Sequence, residues 1–226
     1  MSQRGVPIVG LVGGVGAGKS TLSAWLSRHC RVAILDADAA GHAVLCRPDV
    51  VVALKREFGS TIIDEQGAIH RPSLASRVFG ESPEQRSARR RLESIVHPLI
   101  RRELETQIAG RKSQGDCDLI MLDAAVMLES GWSELCNAVV YIDVPRAVRV
   151  SRVQHSRGWC EEDLDRREIS QWSLDRKRAA ADFVVDNSGA VEVAGQALYD
   201  FLSSRFPHLL DCSPPANRVT TIPHSV

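Results

Sequence analysis

The chain has 226 residues, 44% of them hydrophobic, enough for one α/β domain with a helical insertion and a sizeable core. Its 28 basic and 28 acidic side chains cancel to a formal net charge of zero, so bulk charge gives no argument for binding DNA, RNA or a membrane surface. No run approaches the roughly eighteen consecutive apolar residues of a membrane span, and Met1–Pro7 carries no apolar stretch of the kind a signal peptide needs.

The first element in chain order is a short apolar strand, Ile8–Val12. Gly13-Gly14-Val15-Gly16-Ala17-Gly18-Lys19-Ser20 follows and fits G-x-x-x-x-G-K-[ST], the phosphate-binding loop. Leu22, Trp25 and Leu26 then recur at helical spacing. Strand, loop and helix stand in the order that phosphate binding requires. Glycines let the backbone curl and turn its N–H groups toward an anion, and the helix N-terminus adds partial positive charge behind them. Lys19 is suited to the β- and γ-phosphates and the Ser20 hydroxyl to Mg²⁺. Only four of the 28 basic residues are lysines, so a lysine at this position is not compositional noise.

A second strand, Val32–Leu35, runs into Asp36-Ala37-Asp38. The long stretch up to about residue 115 exceeds a simple crossover and reads as helices. Pro48 and Pro72 suit helix first turns, and Asp64–Gly67 reads as a turn. From Pro83 an Arg/Glu-rich helical pattern sets Leu92, Ile95 and Val96 on one face. His97-Pro98 is predicted to interrupt it, because the residue before a proline avoids the α region. Arg86, Arg89, Arg90 and Arg91, balanced by Glu84 and Glu93, read as a solvated face.

Leu119–Leu122 is a third strand and leads to Asp123; Val139–Val144 is a fourth. A second helical excursion, Pro145 to Arg178, is rich in arginine. Within it Arg149 and Arg152 lie one turn apart, and Arg157-Gly158 marks a helix end at the tip of a lid. Phe183–Val185 is the fifth strand. The segment after Pro207 lacks periodicity and is expected to be disordered. Short aliphatic strands alternating with helices predict an α/β fold with a parallel sheet covered on both faces. Ligands bind such sheets at the carboxyl ends of the strands. The six cysteines, Cys30, Cys46, Cys117, Cys136, Cys160 and Cys212, form no C-x-x-C pair and no zinc-binding spacing, which fits reduced thiols in the cytoplasm.

Residues beyond the phosphate loop discriminate among its users. Asp64-Glu-Gln-Gly67 matches the D-x-x-G of GTPases, but no N-K-x-D guanine-reading motif exists. A small-molecule kinase needs a group facing the acceptor hydroxyl, an acid for the Mg²⁺ shell and cations over the moving phosphoryl group. Asp38 is the candidate base, with Asp36 as its rival. Asp123, at the place of a Walker B acid, is the candidate metal ligand, and Arg152 and Arg157 are the candidate cations. The alternative for either aspartate after the second strand is a helix N-cap, a reading that weighs more for Asp36 than for Asp38. Another P-loop kinase, for a nucleoside monophosphate or a small metabolite, and a non-catalytic nucleotide-binding regulator both remain open on these residues.

Several blocks in order resemble the dephospho-coenzyme A kinase family over roughly residues 6 to 203. They are Gly10–Thr21, Asp36-Ala-Asp38 with His42–Leu45, Asp64–Arg71 with Leu74 and Val78-Phe79, and Leu92–Pro98. Arg152, Gln171, Lys177, Ala181-Asp182 and Asp186–Gly189 complete the set. One block departs: where the family has a proline-led run after its acid, this chain reads Asp123-Ala-Ala-Val-Met-Leu-Glu129. The resemblance implies a three-layer P-loop kinase with a five-stranded parallel sheet, a helical substrate-binding insertion and a lid. Its core would be about 6–36, 116–145 and 180–206, the insertion about 37–115, the lid about 146–179, and the tail 207–226. It implies transfer of a phosphoryl group from ATP, with Mg²⁺, to the ribose 3′-hydroxyl of dephospho-CoA, with no nucleic-acid or membrane partner. Gly16, Ala17, Gly18, Lys19, Ser20 and Thr21 match its ATP-phosphate loop, Asp38 its base and Arg152 a lid arginine. Arg157 follows on the lid, Asn187 falls in the segment expected near the adenine, and His97 in the insertion that should meet the acceptor.

Overall fold

The computed structural model describes residues 5–80, 82–169, 171–207 and 209. Five parallel strands form one sheet: β1 (Ile8–Gly13), β2 (Val32–Asp36), β3 (Leu119–Asp123), β4 (Ala138–Asp143) and β5 (Phe183–Asp186), in the order β2-β3-β1-β4-β5. The five-stranded parallel sheet expected from the sequence is present. Each strand reaches at least as far as the sequence reading placed it, except that β4 stops one residue short, at Asp143. Asp36 and Asp123 are therefore the last residues of their strands rather than the first of the loops.

Alternation along β1 sorts its side chains between two cores. Ile8 and Val12 pack on one face with Leu35, Ile120, Leu122 and the insertion helices. Val9 and Leu11 pack on the other with Leu22, Leu26, Met121, Val140 and Leu198. That second face is covered by α1 (Lys19–Leu26) and, after an intervening run of helices, by α9 (Val191–Arg205). Strands buried on both faces have no polar face to show, which is why they read as continuous apolar runs.

Between β2 and β3 lie α2 (Ala37–Leu45), α3 (Pro48–Phe58), α4 (Arg71–Val78) and α5 (Pro83–Gln114). Pro48 and Pro72 stand in first turns, as expected. Asp64 closes its turn by accepting from Gln66 N–H (3.0 Å) and Ala68 N–H (2.8 Å). Helix α5 opens with a capping box between Ser82 and Gln85. The predicted break at His97-Pro98 does not occur, and α5 runs through Pro98 for 32 residues. Val96, Ile100, Leu104 and Ile108 recur every four residues in one buried seam, and packing along that seam outweighs the local preference of one proline. The arginine face behaves as read: Arg89 pairs with Glu93 on its own helix, while Arg91 reaches Glu57 of α3.

The arginine-rich excursion forms α6 (Arg146–Arg157), α7 (Glu161–Glu168) and α8 (Leu174–Ala179). Gly158, with φ 67°, ends α6 in a left-handed turn. Apart from Pro207 and Leu209, the C-terminal segment lies outside the described residues. No helix among the described residues is long and apolar enough to cross a membrane.

Candidate active site

β1 delivers the phosphate loop at the carboxyl edge of the sheet, and its central position puts β3 on one side and β4 on the other. Helix α1 starts at Lys19, directly behind Gly18, whose φ of 83° is left-handed. A Cβ at Gly18 would lie 2.6 Å from Asn187 Nδ2, so both the backbone and the close approach require glycine. The loop edges a cleft of about 740 Å³.

Nearly every residue expected at the site lines this cleft. Gly16, Ala17, Gly18, Lys19, Ser20 and Thr21 form its floor, Asp38 and Asp123 stand on one flank, and Arg152, Arg157 and Asn187 on the other. His97 is the exception. It is half-buried on α5, stacks edge-on against Trp132 with 5.4 Å between ring centroids, and does not line the cleft. Burial holds its imidazole below the usual histidine range, so at neutral pH it packs as an uncharged ring.

On the acidic flank the two neighbouring aspartates divide their roles. Asp36 Oδ1 accepts from the backbone N–H groups of Asp38 (2.8 Å) and Ala39 (3.1 Å), which makes Asp36 the N-cap of α2. Asp38, in the first turn, keeps its carboxylate for the cleft. Although Asp38 lies at an open edge, the protein around it raises its pKa, first by desolvation and then by the charge of Asp36, against the opposing pull of His42 and Lys19. Asp123 is raised in the same way, by desolvation first, with Lys19 opposing and Asp36 and Asp38 adding. Three carboxylates and one ammonium thus share a field at the mouth of the phosphate loop.

On the basic flank Asn187, buried at the end of β5, donates from Nδ2 to the Ala17 carbonyl at 2.8 Å. Its own carbonyl accepts from Arg152 Nη2, also at 2.8 Å. Arg152 Nη1 and Asn187 Oδ1 are buried without a hydrogen-bond partner among the described residues, and a Cβ on Gly18 would lie 3.5 Å from that Nη1. A buried guanidinium N–H beside the phosphate loop fits an anionic ligand. Arg157 and Arg167 both approach the Trp159 ring, with guanidinium carbons 4.7 and 3.9 Å from its centroid, and all three residues line the cleft.

The partners of Arg149, Lys177 and Glu129, three residues the sequence reading named without pairing them, hold this arrangement together. Arg149 is buried and pairs with Glu168 beneath the loop. Lys177, 2% exposed, donates to Gln171 Oε1 (2.6 Å) and the Ala125 carbonyl (3.0 Å) and pairs with Glu129 (3.2 Å). Glu129 also accepts from Trp172 N–H at 2.6 Å. The rarity of tryptophan in this chain was an available signal for Trp159; Glu168 offered none.

Comparison with known proteins shows the family. The Dephospho-CoA kinase family model matches residues 7–192. A dephospho-CoA kinase of Corynebacterium diphtheriae is 39% identical over 188 residues, covering 82% of this chain and 90% of that protein. One of Anaeromyxobacter dehalogenans is 37% identical over 192 residues, covering 84% and 88%. Among solved structures, the protein TT1252 from Thermus thermophilus superposes with a TM-score of 0.72 at 30% identity, over 89% of this chain and 98% of its own. The dephospho-CoA kinase from Campylobacter jejuni, with a TM-score of 0.54 at 19% identity over 88% and 97%, shares the fold. With matches that run from the first strand into the last helix, this chain belongs to the dephospho-CoA kinase family.

Proposed function

We propose that this chain performs the family reaction with Asp38 as its base and Lys19 and Arg152 as its charge-neutralising groups. The enzyme transfers the terminal phosphoryl group of ATP to the ribose 3′-hydroxyl of dephospho-CoA, giving CoA and ADP. In such a transfer the protein supplies position and electrostatics rather than a covalent intermediate. The loop amides from Gly16 to Thr21 hold the phosphates, Lys19 spans the β- and γ-groups, and Arg152 directs its unpartnered Nη1 at the group in transit. Asp38 orients the attacking hydroxyl and takes its proton, and its raised pKa brings it closer to that task. The observation that carries the assignment is the division between the aspartates: Asp36 is spent on capping α2, while Asp38 is free in the cleft beside Lys19.

Mg²⁺ suits the donors present, the Ser20 hydroxyl and the Asp123 carboxylate, both hard oxygen ligands lining the cleft. No group of three His, Cys, Asp or Glu able to hold a metal ion alone occurs among the described residues, so the ion would share its shell with nucleotide phosphates. When bound, it supplies positive charge to the transferring group. Arg157 and Asn187 belong on the nucleotide side of the cleft. The insertion 37–115 receives the acceptor, and α6 to α8 form the lid. The scattered free thiols of the described residues fit a cytoplasmic enzyme.

The Asp38→Asn variant tests the assignment. Turnover with dephospho-CoA should fall by roughly 10²–10⁴-fold, the usual worth of a positioned base, while ATP affinity by calorimetry stays within about threefold. Undiminished turnover would move the base elsewhere.

A further inference from the structure

The tip of the phosphate loop is gripped from below. Glu168 Oε1 accepts the Val15 N–H at 2.9 Å, and Arg149 Nη1 donates to the Val15 carbonyl at 3.2 Å. The same Nη1 donates to Glu168 Oε1 at 2.5 Å, and Arg149 Nε donates to the Val144 carbonyl at 3.3 Å. Arg149 is 3% exposed and Glu168 19%. One residue of the loop therefore has both backbone groups bonded to an ion pair whose members come from α6 and α7. Spacing alone puts Arg149 on the same helix face as Arg152, as though both served phosphate. Their surroundings differ, because Arg149 is committed to protein groups while Arg152 keeps an unpartnered N–H beside Gly18.

A second observation concerns Gly14. The phosphate-loop motif leaves this position free, and its backbone is not among the left-handed glycines. Phosphate binding and conformation would both accept alanine. A Cβ there, however, would lie 2.6 Å from Arg149 Nη1, 2.8 Å from its Cζ and 2.9 Å from Glu168 Oε1. The three atoms nearest to such a Cβ all belong to the ion pair.

We propose that Arg149 and Glu168 are positioning residues that clamp the phosphate loop through Val15 and join its shape to the two lid helices; this rests on reading the loop as the ATP site. The clamp also balances charge. A lone carboxylate under a loop that receives a polyanion would repel it, and the Arg149 guanidinium cancels that charge.

The test compares wild type, Gly14→Ala, Arg149→Ala and the double variant, measuring the ATP Kd by calorimetry, kcat and KM for ADP release, and Tm. Gly14→Ala is expected to weaken ATP binding by about tenfold in the wild-type background and by less than about twofold once Arg149 is alanine, since residues in contact couple and separate ones do not. Losses that multiply in the double variant would overturn the clamp, and so would a lowered Tm with ATP affinity intact. Should Arg149→Ala not fold, Glu168→Gln and Glu168→Ala decide. Glutamine keeps an oxygen for the Val15 N–H and should hold ATP within about threefold of wild type, while alanine should lose about tenfold, and equal behaviour would refute the proposal. Wild-type protein that neither binds ATP nor releases ADP would instead refute the nucleotide-site reading itself.

Discussion

The Asn187 carboxamide donates to the Ala17 carbonyl across 2.8 Å, tying the end of the last strand to a phosphate loop 170 residues earlier. The bond spans β4, since β5 does not touch β1. Replacing Asn187 with alanine removes the donor from a buried carbonyl and should cost about 1–3 kcal/mol in denaturant unfolding. ATP should bind more weakly as well. Asn187→Asp, which sets two acceptors against each other beside the phosphates, should be worse on both measures.

Lys19 lines the cleft and opposes the rise in pKa of both Asp38 and Asp123. Lys19→Ala should lower turnover by about 10²–10³-fold or more, the range seen when one preorganised electrostatic contact is removed. Far-UV dichroism and Tm should stay near wild type, because Lys19 is half-buried at the cleft and packs in neither core.

The pH profile should report the acidic flank. Asp38 must be ionised to accept a proton, so the rate rises with pH through its pKa, which lies above that of an ordinary aspartate. Asp36 contributes to that elevation, so Asp36→Asn should move the acid limb of kcat/KM to lower pH. Asparagine caps a helix as well as aspartate does, so stability should be nearly unchanged. A limb that stays in place would separate Asp38 from the titration.

Lys177 is buried against Glu129, and desolvation lowers its pKa while the Glu129 charge opposes the drop. Lys177→Met leaves the carboxylate of Glu129 without its cation and should destabilise the protein by about 3–5 kcal/mol in chemical denaturation. Glu129→Gln added to that background should restore much of the loss. Gln171 and Ala125, which Lys177 holds, both line the cleft, so activity should follow the same order.

The sheet was legible because β-branched and aliphatic runs end in residues with a chemical purpose: glycines after β1, Asp36 after Leu35, Asp123 after Leu122. The cleft followed from topology, since all these ends meet at one edge. Pro98 was misread because local propensity says nothing about the buried seam of Val96, Ile100, Leu104 and Ile108 that carries α5 past it. The clamp and the contacts that Lys177 makes were invisible for another reason. Glu168 and Val15 are 153 residues apart, and no local pattern marks which acid of a charged helix turns inward.

The strand order β2-β3-β1-β4-β5 has a further consequence for how a substrate must enter. It places Asp36, Asp38 and Asp123 to one side of the central strand and Arg152, Arg157 and Arg167 to the other, so the opening is polarised from left to right. Which strand neighbours which thus sets where each sign of charge stands along the opening.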